Sequence, residues 1–242
     1  MRLCLISNPN SIHTRRWVRH FADLGHEVHL IGEKPLSAQP PAGAVFHDLT
    51  RQGNARKLRY LVWARTVRRL VRQIQPDLLH AHQVASAGWL GAAAGYHPLL
   101  VTAWGSDLLL GAARSTAQRY LARWTLRRAD YVTCVSQSLV EAALALGVER
   151  QRIELAPWGV DTTVFRPGDA ATPSVSMTRE AALSMTGRAA PLVLSIRGVQ
   201  PVYQPLTVAA AIPLVLARRP DARFVIRTYS ADAGLLAEFQ RQ

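Results

Sequence analysis

Cysteine, lysine and acidic residues are scarce in this chain, and each shortage narrows what it can be. Its 242 residues include two cysteines, Cys4 and Cys134, each inside an apolar strand-like run. A disulfide framework is thereby excluded, and the pair reads as buried free thiols of a reduced, cytoplasmic protein, not as a disulfide or a metal site. Lysine accounts for two of the 29 basic residues; with 16 acidic residues the net charge is +13. Residues 1–166 carry 21 basic and 11 acidic groups, so most of the excess lies there. Residues 51–72 contain eight basic residues and no acid, whereas no charged residue occurs between His82 and Asp107. Met1-Arg2 leads directly into an apolar run, so no signal peptide is expected.

What is present is an ordinary globular share of apolar residues, 49%, enough for a sizeable core in one or two domains. The uncharged stretch is nearly long enough to span a bilayer. It is rich in Gly and Ala, however, and cut by His97-Pro98, beyond which Leu99-Leu100-Val101-Thr102-Ala103 reads as a strand. A buried helix followed by a buried parallel strand is expected in place of a transmembrane span. In the basic stretch Tyr60, Trp63, Ala64, Val67, Leu70, Val71 and Ile74 recur at helical spacing, opposite the arginines. A helix resting on a sheet with a solvated basic face suits this pattern. A helix drawn to anionic headgroups, peripheral to the inner face of a membrane, suits it too. No nucleic-acid module signature accompanies the basic residues, and nucleic acid is not an expected partner.

Strand and helix signals alternate. Apolar runs predict strands at 2–7, 27–32, 44–47, 77–82, 99–103, 131–135 and 152–156. Helices are predicted from Thr14 to Leu24, through the basic stretch, within the uncharged stretch, over 115–128 and from Ser138. This alternation implies α/β architecture: a Rossmann-like, doubly wound parallel sheet with right-handed crossovers. Ligands of such sheets bind beyond the carboxyl ends of the strands, so the loops 8–13, 80–83, 103–107 and 135–138 are expected to carry the chemistry. Residues 167–190, rich in Ala, Ser, Thr and Pro, read as a linker. A second run follows, with strand 191–196, helix 206–218, strand 223–227 and a last helix after Asp232. So few strands cannot cover their own apolar faces, and residues 191–242 are expected to form an incomplete second Rossmann-like domain after the first, 1–166.

Five motifs then appear in order: Leu24-Gly25-His26-Glu27-Val28; Pro76-Asp77-Leu78-Leu79-His80-Ala81-His82; Thr102-Ala103-Trp104-Gly105-Ser106-Asp107; Ala129-Asp130-Tyr131-Val132 with Val135-Ser136; and Pro157-Trp158-Gly159-Val160-Asp161 with Phe165-Arg166-Pro167. Together they resemble the nucleotide-sugar glycosyltransferases of family 4, whose GT-B fold has two Rossmann-like domains. The resemblance covers about 1–166 and continues from Ser195-Ile196-Arg197. It implies retaining transfer of a sugar from a nucleoside-diphosphate donor, as co-substrate, to an acceptor, with no metal. The first domain would shape the acceptor side and the second would hold most of the donor.

The resemblance also assigns residues. The loop with Asn10, Ser11 and His13 would lie beside the donor diphosphate, although the family often has glycines there. His13 is a catalytic candidate, as is Asp107, which would either orient a sugar or acceptor hydroxyl or cap the following turn. Trp104 stands before Gly105-Ser106-Asp107 where many members have His. His82 would face the cleft or be a satisfied structural histidine; Ser136 would touch ligand or cap the next helix. Arg197 matches the arginine facing the donor phosphates, but the usual lysine after it is missing, and the family's acidic pair is absent. The chain on its own is therefore expected to transfer no sugar at a useful rate. Two other readings remain open: a non-catalytic or regulatory fragment that needs a partner chain, and a sugar-nucleotide epimerase sharing the layout.

Overall fold

Both faces of a parallel sheet are covered by crossover helices, so its strands read as near-continuous apolar runs, and these runs decide the architecture. In the computed structural model residues 1–51, 59–111, 115–166, 191–228 and 231–241 are described. They fall into two compact units, Met1–Val160 and Asp161–Gln242. The expected linker, 167–190, lies outside the described residues, as do 52–58 of the basic stretch.

The first unit is built on β1 (Arg2–Ser7), β2 (Glu27–Gly32), β3 (Ala44–Asp48), β4 (Leu78–His82), β5 (Leu99–Ala103), β6 (Tyr131–Cys134) and β7 (Ile153–Leu155). They form one seven-stranded sheet in the order β3-β2-β1-β4-β5-β6-β7, and every pairing is parallel. The doubly wound fold class read from the sequence is the one observed. The helices are α1 (Ile12–Asp23), α2 (Arg59–Ile74), α3 (Gly88–Ala94), α4 (Ser106–Leu109), α5 (Thr116–Arg128) and α6 (Gln137–Ala145).

Side chains alternate across β1 with period two. Cys4 and Ile6 join a large core with Trp63, Val67 and Val71 of α2, Leu90 of α3, Leu126 of α5 and Leu139 of α6. Leu3 and Leu5 join a smaller core with Val18 of α1, Val28 and Leu30. One layer of α2, α3, α5 and α6 therefore covers one face, and α1 covers the other. Both cysteines are buried and free; burial pushes the Cys4 thiol up to about 12 and that of Cys134 up to about 11.

Some boundaries differ from the sequence reading for identifiable reasons. Helix α1 begins at Ile12, not Thr14, because the Ser11 hydroxyl accepts from the His13 N–H and so caps the helix two residues earlier. The uncharged stretch begins with a π-helical turn, Gln83–Ala87, which leads into α3. Gly95, at φ +62°, ends α3 in the left-handed conformation before the chain re-enters the sheet as β5. No helix among the described residues is long and apolar enough to cross a membrane.

The second unit holds a parallel pair, β8 (Leu192–Ser195) and β9 (Arg223–Ile226), with α7 (Pro205–Leu216) and α8 (Ala233–Arg241) among its described helices. The strand–helix–strand–helix order matches the sequence reading. Asp232 caps α8 as expected, its carboxylate accepting from the Leu235 N–H at 2.9 Å. Val193, Leu194 and Ile196 are exposed.

Close packing of α3 on the π-helical turn and α5 depends on Gly88. A Cβ there would lie 2.6 Å from the Gln83 carbonyl oxygen and 3.1 Å from Thr125 Cγ2. Gly88→Ala should therefore destabilise the first unit by about 1–3 kcal/mol through overpacking. The expected result is a lower urea midpoint with an unchanged m-value.

Candidate functional site

Strand order reverses between β1 and β4. From β1 the chain winds outward to β2 and β3, and from β4 outward the other way to β5, β6 and β7. At such a switch point the crossovers diverge and leave a crevice at the carboxyl ends of the two strands. Ser7 ends β1 and His82 ends β4. Their side chains meet across the junction: Ser7 Oγ lies 3.1 Å from His82 Nδ1 and 2.7 Å from Thr14 Oγ1 of α1. All three residues are buried. Burial pushes His80 down to about 3 and His82 well below the ordinary imidazole value, with His80 and His13 adding to the effect on His82. Both rings are neutral near pH 7. The His80 ring is satisfied by Thr102 Oγ1 at 2.7 Å. His82 Nε2 is buried and has no hydrogen-bond partner among the described residues.

Aromatic rings gather over this junction. His13 stacks on Trp158 with 3.7 Å between ring centroids, and Trp104 meets both edge-on, at 5.5 Å from His13 and 5.6 Å from Trp158. The His82 ring lies 5.5 Å from Trp104. The indole Nε1 atoms of Trp104 and Trp158 are likewise buried without a partner among the described residues. Trp158 comes from the loop beyond β7 and is drawn to this end of the sheet by Arg16 of α1, which donates to the Gly159 carbonyl at 3.0 Å. One helix thus supplies both the ring that stacks on Trp158 and the tether of its loop. Burial, and then the charge of Arg16, lower the pKa of His13.

The remaining sequence candidates take distinct positions. Asp107 spends its carboxylate on backbone: Oδ1 accepts from the Gly105 N–H at 2.8 Å and Oδ2 from the Val84 N–H at 2.8 Å, with Trp104 N–H at 3.2 Å. No side-chain bond caps the turn that follows; the carboxylate instead accepts from amides that precede it and from the π-helical turn. Gly105 sits at φ +136°, which a side chain would resist, and this turns the loop so that its amides reach Asp107. Asp107 therefore positions Trp104 and the π-helical turn. Asn10 ties down the loop after β2, donating to the Pro35 carbonyl at 2.7 Å and accepting from the Ser37 N–H at 2.9 Å. Ser11 caps α1. Ser136 stands at the N-cap of α6 without a side-chain capping bond, its Oγ 3.0 Å from Ser138 Oγ. Arg197, in the second unit, lies over the Tyr203 ring at 5.1 Å. Among the described residues no group of three His, Cys, Asp or Glu side chains is placed to hold a metal ion.

Three contributors escaped the sequence reading. Trp158 was visible only as part of the Pro-Trp-Gly-Val-Asp motif. Gln83 adopts φ +73°, unusual for a residue with a side chain, at the start of the π-helical turn; both features are enriched at functional sites. Glu33, next after β2, is 4% exposed and accepts from Ser86 Oγ at 3.1 Å.

The model of the glycosyl transferase 4-like family matches residues 2–136, more than half of the chain. The chain belongs to that family. Solved structures are similar to the chain in fold. A sucrose-phosphate synthase from Thermosynechococcus elongatus is 17% identical with a TM-score of 0.68, covering 100% of this chain and 66% of its own. Anabaena HepE, in complex with UDP and glucose, is 15% identical with a TM-score of 0.68, covering 100% and 65%. The UDP-GlcNAc 2-epimerase from Neisseria meningitidis, bound to UDP-GlcNAc, is 11% identical with a TM-score of 0.60, covering 100% and 68%. At these identities the likeness shows the GT-B fold alone, and the chain spans about two thirds of the length of each structure. No curated protein matches the chain. Within the family member described here, Trp104 and Trp158 face each other over the switch point of the first unit.

Glu33 supplies a pH test of the site's construction. Burial pushes its carboxyl above the ordinary 4.5, against the lowering pull of Ser86 and Lys34. A carboxyl raised in the folded state contributes its stability fully below the ordinary value and loses it as pH rises through the folded one. Glu33→Gln, which keeps an acceptor for Ser86, should thus raise the urea midpoint at pH 7. The gain should shrink toward zero as pH falls to about 4.5. A constant difference across pH would mean that Glu33 is not held in this way.

Proposed function

We propose that the chain is a nucleotide-sugar glycosyltransferase, of retaining type, whose switch-point pocket holds a sugar-bearing ligand against Trp104, Trp158 and His13. One observation carries this reading: three buried ring nitrogens, His82 Nε2, Trp104 Nε1 and Trp158 Nε1, belong to neighbouring rings and have no protein partner among the described residues. A buried polar group left unpaired costs about 1–3 kcal/mol, so three together favour a ligand rich in hydrogen-bonding groups. Sugar hydroxyls both donate and accept, and the apolar faces of a sugar ring pack on indole. An aromatic-lined pocket with a few convergent polar atoms suits that combination.

The chemistry of transfer needs positive charge and N–H donors for the departing diphosphate, and stabilisation of the positive charge that develops at the anomeric carbon. Arg197 is proposed for the first role, in the second unit. In the first unit the neutral imidazoles of His13 and His82 are suited to hydrogen-bond hydroxyls without repelling a developing cation. Asp107 acts at one remove, by holding the loop that carries Trp104. The relatives named above support a uridine nucleotide as donor base, since two of those structures hold UDP-linked or UDP-derived ligands.

An epimerase shares the fold, so the experiment must separate transfer from isomerisation. Calorimetric titration of the full chain with UDP-glucose and UDP-GlcNAc should show binding, and Trp158→Ala should weaken it about tenfold, the loss of one large stacked aromatic. Turnover by the chain on its own is expected to be slow, so proton NMR of the sugar nucleotide over a long incubation distinguishes the outcomes. Loss of the donor's anomeric signal with appearance of nucleoside diphosphate and a product of the same anomeric configuration supports retaining transfer. Inversion at sugar C2 with the nucleotide still attached assigns the pocket to an epimerase. Unchanged affinity in Trp158→Ala refutes the proposed pocket.

A further inference from the structure

The helix layer on the larger core presents a surface that glycosyl transfer does not use. Helix α2 exposes five arginines between Arg59 and Arg72, and α5 exposes four between Arg119 and Arg128; neither helix contains an acid. None of these nine takes part in an ion pair among the described residues. Both helices pack against α3, which carries no charge, and their apolar sides enter the same core. Their outward sides therefore belong to one face. Aromatic side chains stand among the arginines: Tyr120 is 70% exposed and Tyr60 37%, while the Arg128 guanidinium lies over the Trp124 ring at 4.0 Å. Tyr120, Arg123, Trp124, Arg127 and Arg128 line a groove of about 440 Å³.

We propose that this face, spanning α2, α3 and α5, docks the protein on an anionic lipid bilayer. Charge complementarity selects the partner. Unpaired guanidinium groups bind phosphate oxygens in bidentate fashion, and Tyr and Trp settle at the boundary between headgroups and acyl chains. The positive charge is spread over two helices separated by an uncharged one, which fits a planar anionic surface. A nucleic-acid strand would need a continuous basic track with stacking rings along it. The basic stretch in the sequence pointed to α2 alone; α5 and its groove come from the fold.

Co-sedimentation of the full chain with vesicles tests this. Binding is expected to vesicles of phosphatidylcholine and phosphatidylglycerol, to be released by high salt, and to be absent on phosphatidylcholine alone. Arg123→Glu with Arg127→Glu should lower the partition coefficient at least about tenfold, and Arg65→Glu with Arg69→Glu should do the same. Arg15→Glu with Arg19→Glu makes the same change of net charge on α1, across the sheet, and should lower it less than about threefold. Thermal unfolding shows whether each variant is folded, and the salt release of the unaltered chain needs no variant. Equal binding to both vesicle types overturns the proposal, as does full binding by the α5 variant. An α1 variant that weakens binding as much as the α5 variant also overturns it, leaving only bulk charge. Displacement from the vesicles by stoichiometric single-stranded RNA would reassign the face to nucleic acid.

Discussion

The parallel pairing of β1 with β4 is the constraint from which the rest of the first unit follows. The chain leaves β1 in one direction and returns beside it to continue in the other. Right-handed crossovers then send α1 to one face and α2, α3, α5 and α6 to the other. No helix can close over the carboxyl ends of these two central strands, so side chains must. Ser7, Thr14 and the Nδ1 atom of His82 are linked there in a short buried chain of hydrogen bonds. The loops after β5 and β7 bring Trp104 and Trp158 above it. The junction is thus a topological necessity, and the local sequence decides what fills it.

That lining divides into groups that are satisfied and groups that are not. Asp107 and Asn10 use their polar atoms on backbone and hold loops still. His80 is closed off by Thr102, which lies 2.6 Å from Thr133 in turn. Against this settled background the three unpartnered ring nitrogens stand apart. Proteins tolerate such local losses where function requires them and make up the stability elsewhere. Here the compensation lies in the two apolar cores on either side of the sheet.

Strands were legible because a doubly covered sheet demands uninterrupted apolar runs, as in Leu3-Cys4-Leu5-Ile6. The loops carrying the site were legible as positions, since the switch-point rule needs only strand order and polar residues after each strand. The roles of individual side chains were less so. Asn10 and Ser11 lie in the expected loop, yet cap formation and loop tethering, both short-range effects, claim their side chains. Glu33 looks like any charged residue after a strand; only the packing of Ser86 beside it reveals a buried carboxyl. The π-helical turn had no signal, because one extra residue per turn leaves no periodic trace over five residues. The place of Trp158 depends on a contact between Arg16 and Gly159, 143 residues apart, which no local pattern encodes.

That same contact sets when the aromatic cluster can exist. The α1 side of the cluster is made from early residues of the unit and the Trp158 side from its last, so the cluster closes a loop of 143 residues between Arg16 and Gly159. Closing such a loop is entropically the most demanding step, and contacts of large sequence separation slow folding. The aromatic cluster therefore joins the two ends of the unit's sequence, and its closure spans all seven strands. In a chain made from its first residue onward, the ring of His13 exists long before the indole of Trp158 that stacks on it.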